Sequence, residues 1–222
     1  MEVFRTVLHI ATPNKKANSG SIEYYHALRD EANRKKRRFL YETNVGAGLP
    51  IFDTFKNLMN SGDKLVNFSG ILSGSLSFIF GLLEEGMPFL QAVQIAREKK
   101  FTEPDPRDDL NGLDVVRKVL ILSREIGAQY ALEDIQLTPI LPHDFDISGS
   151  IKQFLSRLSS IDSYFETAIK MLQKNNQVLR FVSEISENQC SVGMQSVAQD
   201  HPLYTVKGGE NALQSVMLQS LL

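Results

Sequence analysis

The segment FLYETNVGAGLP, residues 39–50, decides the fold, because an apolar strand runs directly into a Gly-Ala-Gly turn followed by leucine and proline. An earlier apolar run at residues 7–11 is closed by a turn at residues 12–14. Between the two, residues 22–37 carry apolar side chains at helical spacing, with Ser21 as the expected N-cap. Strand, helix, strand and turn in this order predict a βαβ unit of an open α/β sheet.

The rest of the chain is predicted to alternate helices and strands, and it contains no internal repeat. Helices are predicted at residues 51–60, 76–85, 89–99, 112–126 and 151–174, the last with a break at 162–163. Strands are predicted at residues 65–72 and 135–141, and an antiparallel meander at 178–185, 191–198 and 203–206. The fold class is therefore predicted as α/β (α+β).

Composition limits the classes of function. The 222 residues carry a formal net charge of −2, which gives no electrostatic reason to expect nucleic acid or membrane lipid as a partner. The basic run at residues 34–38 is interpreted as cations at a helix end. The single cysteine, Cys190, cannot form an internal disulfide, and the four histidines are scattered, so a zinc site is not expected. No apolar run reaches the roughly 20 residues of a membrane helix, and we expect a cytoplasmic protein.

An acidic loop opens the segment FTEPDPRDDLNGLDVVRK, residues 101–118. Its four carboxylates have only Arg107 between them and repel one another, which is costly unless the loop binds a cation or an ammonium group or caps a helix. Asp108 or Asp109 is expected to cap the helix that follows. Capping explains one acid and leaves the others available for a ligand.

Asp114 and Lys118 are four residues apart and therefore share one face of the predicted helix. One interpretation is an exposed ion pair, which contributes about 0.3–0.5 kcal/mol. The other is an acid and a lysine presented to a ligand, and the neighbouring acids favour it. A ligand with an ammonium end, a carboxylate end and a reacting oxygen needs this mix of charges, so the residues favour a small amino acid as substrate without naming the reaction.

A third interpretation makes the loop a divalent-cation site. Asp105, Asp108 and Asp109 would then hold Mg²⁺ for phosphoryl transfer. No phosphate-binding glycine loop accompanies these acids, so this interpretation ranks last.

Residues 101–118 closely resemble the substrate-site signature of the homoserine dehydrogenase family. Four further segments resemble the same family in the same order: TPNKKA at 12–17, ETNVGAGLP at 42–50, GILSGS at 70–75 and VKGGEN at 206–211. The resemblance implies hydride transfer between NAD(P)H and aspartate 4-semialdehyde to give homoserine, in threonine, methionine and isoleucine biosynthesis. It leaves open whether the parent is fused to an aspartate kinase.

The resemblance also implies domains and site residues. Residues 1–49 would be a remnant of a Rossmann-like nucleotide-binding domain, and 50–222 a mixed-sheet substrate-binding and dimerisation domain with helices on one face, forming a homodimer. The implied catalytic residues are Lys15 (with Lys16 as its alternative), Asp114 and Lys118. The implied substrate-binding residues are Glu103, Asp109, Gly74, Ser75 and Phe101. Thr12, Asn14 and Lys15 would face the cofactor, and Glu42 with the backbone carbonyls of Val45, Ala47 and Leu49 would bind Na⁺ or K⁺.

Three departures from the family pattern change the expectation for activity. Phe101 stands where many members carry tyrosine, no G-x-G-x-x-G occurs, and the glycine-rich continuation after residues 208–211 is missing. We therefore expect a chain truncated at both ends that lacks the phosphate-binding loop for NADP or NAD and has little or no turnover alone. The alternative is a non-catalytic module that binds the substrate or dimerises.

Overall fold

The computed structural model describes residues 8–187 and 189–218. Seven strands lie in this part of the chain: β1 (Ile10–Ala11), β2 (Phe39–Leu40), β3 (Lys64–Ile71), β4 (Gln136–Leu137), β5 (Gln177–Ser186), β6 (Cys190–Ala198) and β7 (Ala212–Leu218). Nine α-helices accompany them: α1 (Lys16–Ser19), α2 (Ile22–Arg34), α3 (Ile51–Asn60), α4 (Gly74–Glu84), α5 (Phe89–Glu98), α6 (Arg107–Leu110), α7 (Leu113–Glu125), α8 (Ile151–Leu158) and α9 (Asp162–Gln173). None of these helices is long and apolar enough to cross a bilayer.

The strands form two separate sheets. β1 and β2 pair in parallel, and α2 between them buries Leu28 and Ala32 against this small sheet. The other five strands have the order β4-β6-β5-β3-β7, with β4 parallel to β6 and the remaining pairs antiparallel. An α/β unit followed by a mixed sheet confirms the predicted fold class.

The helices cover one face of the five-stranded sheet. On that face Phe68 of β3 and Phe181 of β5 are buried among side chains of the helices, including α4, α7 and α9. The opposite face carries a smaller cluster, in which Val178 and Val182 pack against Leu203 and Val206. The cavity described in the next subsection lies at the junction between the end of β3 and the start of α4.

The prediction of a strand at residues 203–206 was wrong, because residues 203–205 form a turn and Val206 has no regular secondary structure. Its apolar side chains are buried against the sheet without joining a ladder. The sheet is completed instead by β7, which pairs with β3 from Ile71 opposite Ala212 to Lys64 opposite Leu218.

Other predicted bounds were too long. The second strand ends at Leu40, because the chain turns into a single 3₁₀ turn at Glu42–Asn44. The helix predicted at residues 22–37, which is α2, ends at Arg34, since Lys36 takes a left-handed conformation with φ 53°. Ser21 caps that helix as predicted, accepting a hydrogen bond from the Tyr24 amide. Residue 7 of the first predicted strand lies outside the described residues.

Candidate active site

α7 begins at a tight turn, and Asp114 lies in the first turn of the helix. Gly112 has φ 71°, a conformation that glycine adopts without strain, and Asn111 Oδ1 accepts a hydrogen bond from the Leu113 amide at 2.8 Å. The prediction that Asp108 or Asp109 caps this helix was therefore wrong, because Gly112 is the N-cap residue and Asp109 makes other contacts.

Asp114 binds two lysines from different parts of the chain. Its Oδ1 lies 3.1 Å from Nζ of Lys15, and its Oδ2 lies 3.0 Å from Nζ of Lys118. Lys118 also donates to the carbonyl of Leu72 at 2.6 Å. Burial acts to raise the pKa of Asp114, but the two ammonium groups outweigh it, so the pKa is lowered and the carboxyl stays ionised.

Asp109 points back toward the start of α4 and the start of its own loop. Its two oxygens accept hydrogen bonds from Ser75 Oγ at 2.7 Å and from the Glu103 amide at 2.8 Å. Burial raises the pKa of Asp109 despite these two hydrogen bonds, and the nearby charge of Glu103 acts in the same direction. The carboxylate therefore lies where a bound ammonium group would relieve an electrostatic cost.

Asp105 is engaged within its own loop. Arg107 lies 2.5 Å from its carboxylate and also donates to the carbonyls of Ile147 and Gly149 at 2.9 and 3.0 Å. Within residues 8–187 and 189–218, no group of three histidine, cysteine or acidic side chains is arranged to hold a metal ion. The divalent-cation interpretation therefore has no geometric support.

The cavity between these groups has a volume of about 700 Å³. Its lining includes Lys15, Gly74, Ser75, Phe101, Glu103 and Asp114, and Asp109 and Lys118 also border it. Phe101 forms one wall, stacked on Phe78 with ring centroids 4.2 Å apart. Gly209 lies against the edge of the same ring, where an added Cβ would come within 2.4 Å of it.

A sequence model of homoserine dehydrogenase matches residues 50–218 of this chain. The chain belongs to the homoserine dehydrogenase family. The bifunctional aspartokinase/homoserine dehydrogenase of Haemophilus influenzae is 50% identical over 205 residues, covering 92% of this chain and 25% of that protein. The homoserine dehydrogenase of Schizosaccharomyces pombe is 35% identical over 214 residues, covering 93% of this chain and 57% of that protein.

The fold agrees with a solved structure of the homoserine dehydrogenase type. A putative homoserine dehydrogenase from Archaeoglobus fulgidus superimposes with a TM-score of 0.80 at 23% identity, covering 99% of this chain and 61% of that one. Homoserine dehydrogenases are NAD(P)-dependent oxidoreductases. This chain spans about a quarter of the length of the bifunctional relatives that it matches.

The segment expected to face the cofactor in a homoserine dehydrogenase lies beyond the carboxyl end of β1. Thr12 Oγ1 accepts from the Asn14 amide, Asn14 Oδ1 accepts from the Lys16 amide, and Asn44 Nδ2 holds the Thr12 carbonyl at 3.1 Å. These contacts fix the loop that carries Lys15. Lys16 is exposed and begins α1, so geometry favours Lys15 of the two lysines as the one at the cavity.

The turn expected to bind a monovalent cation is compact. Glu42 Oε1 accepts from the Phe52 amide at 2.8 Å, and the carbonyl of Leu49 accepts from the Ile51 amide. Gly46 and Ala47 both have positive φ, 74° and 52°. Among the described residues, the carbonyl oxygens of Val45 and Ala47 accept no hydrogen bond.

Several residues of the cavity lining were not among the site residues predicted from the sequence. Arg117 and Asn111 line the same cavity as Asp114. Arg117 could have been found, because it lies three residues after Asp114 and therefore on a neighbouring helix position. Asn111 carried no signal apart from its place before Gly112.

Proposed function

We propose that this chain binds L-homoserine or L-aspartate 4-semialdehyde in the cavity between α4, the acidic loop and α7. The observation that carries the proposal is the convergence of carboxylates and two lysines on one cavity of about 700 Å³. Glu103 and Asp109 would hold the ammonium group of the substrate. The start of α4, with Gly74 and Ser75, would bound the cavity on the side of the substrate carboxylate, and Phe101 would close one wall.

The reacting oxygen would lie between the two lysines. Lys15 and Lys118 polarise the aldehyde oxygen, and one of the ammonium groups gives it a proton as the hydroxyl of homoserine forms. Asp114 holds both lysines aimed at that oxygen. The nicotinamide, when bound, supplies or accepts the hydride at the adjacent carbon.

The residues present fit one end of NADP or NAD. The loop at Thr12 and Asn14 lies at the carboxyl end of parallel strands, where α/β sheets bind their ligands. The 222 residues contain no G-x-G-x-x-G segment for the pyrophosphate. We therefore propose substrate binding with little or no turnover by this chain, and a non-catalytic binding module as the alternative activity.

Titration calorimetry tests the proposal. We expect the purified chain to bind L-homoserine, Glu103→Gln to lose at least about tenfold in affinity, and NADPH titrated separately to give no heat of binding. Glu166→Gln, which removes one partner of an exposed ion pair on α9, is the matched control and should bind normally. A chain that is folded but gives no heat with homoserine would contradict the proposal.

We propose a monovalent-cation site at Glu42 and the carbonyls of Val45, Ala47 and Leu49. Hard oxygen ligands from a turn suit Na⁺ or K⁺, and the Val45 and Ala47 carbonyls accept no hydrogen bond among the described residues. Thermal unfolding in NaCl or KCl against tetramethylammonium chloride should show a higher melting temperature with the small ions, and Glu42→Gln should abolish the difference.

We also propose that the chain forms a homodimer through the uncovered part of its sheet. Val216 and Leu218 of β7 and Val66 of β3 are 49%, 60% and 46% exposed, although they lie in or beside ladder positions. Sedimentation equilibrium would give twice the monomer mass of 24.9 kDa, and Leu218→Glu would shift it toward the monomer.

A further inference from the structure

The N-terminal unit, which consists of residues 8–41 with β1, α1, α2 and β2, contacts α7 at both ends of this helix. At the first turn, Lys15 binds Asp114. At the last turn, Arg124 and Glu125 bind groups that follow Lys15 in the chain. The placement of Lys15 therefore depends on contacts made at the far end of the helix as well as on its own ion pair.

Glu125 is the centre of the far contact. Its side chain is 5% exposed, and it accepts hydrogen bonds from Arg29 at 2.6 Å, Tyr41 Oη at 2.8 Å and Tyr25 Oη at 3.0 Å. Lys56 adds a second cation at 3.4 Å. Because Tyr25 and Arg29 lie on α2, this buried carboxylate joins the N-terminal unit to the helix that carries Asp114.

Arg124 makes the second part of the contact. It is 4% exposed and donates from Nη1 to the carbonyls of Asn18 at 2.9 Å and Gly20 at 2.8 Å, which lie at the end of α1. Since α1 starts at the residue after Lys15, fixing its end leaves the lysine little freedom.

The buried apolar side chains of α2 lie outside the main core. The buried Leu28 and Ala32 form a cluster of their own, which among the described residues shares only Phe39 with the main core. The polar contacts at Glu125 and Arg124 therefore join α1 and α2 to α7, while Phe39 and Tyr41 pack in the main core.

We propose that Glu125 is a positioning residue that holds Lys15 against Asp114 from the opposite end of α7. The proposal rests on the proposed function for the catalytic role of Lys15. It concerns the distance between two charged groups, however, and can be tested without substrate or turnover.

The pKa of Asp114 reports whether Lys15 is in place. It can be measured by carbon NMR of the side-chain carboxyl in aspartate-labelled full chain over a pH series. Lys15 and Lys118 are the cations in contact with this carboxylate, while Arg117 and the loop acids Glu103 and Asp109 line the same cavity. Lys15→Met removes one ammonium group and should raise the pKa of Asp114.

Glu125→Gln should raise the pKa of Asp114 in the same direction by part of the Lys15→Met shift, because the Arg124 contacts to α1 remain. Direct electrostatics predict the opposite sign, because removing a negative charge lowers the pKa of a remaining acid. They are also weak, since the two carboxylates are about 16 Å apart along the helix, beyond the screening length of about 8 Å. A rise therefore identifies displacement of Lys15.

The double variant completes the test. Glu125→Gln combined with Lys15→Met should shift the pKa no further than Lys15→Met alone, because the lysine is already gone. Glu166→Gln on α9 should leave it unchanged. An unshifted or lowered pKa in folded Glu125→Gln, or shifts that add in full, would overturn the proposal.

Tyr25→Phe is the milder variant for the case that Glu125→Gln does not fold. It removes a single hydroxyl from the buried carboxylate and should raise the pKa of Asp114 by a smaller amount in the same direction. A folded Tyr25→Phe protein with the wild-type pKa at Asp114 would count against the proposal. Loss of homoserine binding with these shifts intact would overturn the proposed function alone.

Discussion

Lys15 and Asp114 meet between the small parallel sheet and the helices that cover the five-stranded sheet, with Nζ 3.1 Å from Oδ1. Lys118 shares the same carboxylate from the other side at 3.0 Å. Two ammonium groups thus face one carboxylate, which leaves a net positive charge where a developing oxyanion would be stabilised.

The first prediction concerns the pH dependence of stability at Asp114. The pKa of this acid is lowered in the folded chain, so its contribution to stability is complete above about pH 4 and is lost as pH falls through the folded pKa. We expect Asp114→Asn to lower the free energy of unfolding by about 1 kcal/mol at pH 7, because the carboxylate is half exposed and screened.

Urea unfolding of both proteins at pH 7 and at pH 3 measures this contribution. The difference in the free energy of unfolding between the wild-type chain and Asp114→Asn should be smaller at pH 3 than at pH 7. Asp30→Asn, an exposed change on α2, serves as the control. A difference that stayed the same at both pH values would mean that charge is not its cause.

Contacts within one helical turn could be predicted from sequence, and contacts across the fold could not. The spacing of Asp114 and Lys118 predicted their pairing, whereas the arrival of Lys15 at the same carboxylate followed only from the family resemblance. The Glu125 contact carried no sequence signal at all, because its partners come from α2, from the end of β2 and from α3.

The fold class was predictable because the βαβ order at the start is local. The end of the chain was not, since neither residues 203–206 (LYTV) nor residues 212–218 (ALQSVML) alternate strictly between apolar and polar side chains. Only the second segment joins a ladder, and this depends on the free edge of β3, which no local pattern reports. The expectation that Asp109 caps a helix failed for a similar reason: its partner Ser75 lies on α4.

The second prediction separates stability from binding at Asp109. Burial raises the pKa of this acid, so its ionisation costs stability as pH rises through the folded pKa. Asp109→Asn keeps groups that can bond to Ser75 and to the Glu103 amide and removes the buried charge. We expect a gain of up to about 1 kcal/mol in the free energy of unfolding at pH 7.

Homoserine affinity should move the other way in Asp109→Asn, falling by at least about tenfold, because a charged partner of the ammonium group is lost. Calorimetry and denaturant unfolding on the same preparations check both effects. A variant that is less stable at pH 7 would show that the hydrogen bonds outweigh the buried charge.

The third prediction concerns Arg107, which ties the acidic loop to the carbonyls of Ile147 and Gly149. Lysine cannot reproduce this fork together with the contact to Asp105. Arg107→Lys should therefore lower the free energy of unfolding by about 1 kcal/mol and weaken homoserine binding. Hydrogen exchange of the Glu103 amide, which bonds to Asp109, should become faster.

Arg34→Lys is the control for Arg107→Lys, since Arg34 makes an exposed ion pair with Glu31 on α2. Arg34→Lys should change neither the homoserine affinity nor the hydrogen exchange rate of the Glu103 amide. Equal effects of the two variants would mean that the loop does not depend on the arginine geometry.

The fourth prediction uses two glycines with similar backbones and different surroundings. Gly209 and Gly86 have φ of 96° and 87°, but an added Cβ meets nothing within 4 Å at Gly86 and comes within 2.4 Å of the Phe101 ring at Gly209. Gly86→Ala should therefore cost only the backbone strain, about 1 kcal/mol. Gly209→Ala should cost about 1–2 kcal/mol more and lower homoserine affinity, because Phe101 must leave the cavity wall.

Phe101→Leu in the Gly209→Ala background should recover the stability lost to the collision with the ring. It should not recover the stability lost to backbone strain, since the shorter side chain leaves φ unchanged. Unfolding free energies of the two single variants and the double variant, with calorimetry for homoserine, separate the two terms. If Gly86→Ala and Gly209→Ala lost the same stability, the contact between Gly209 and Phe101 would not define the cavity wall.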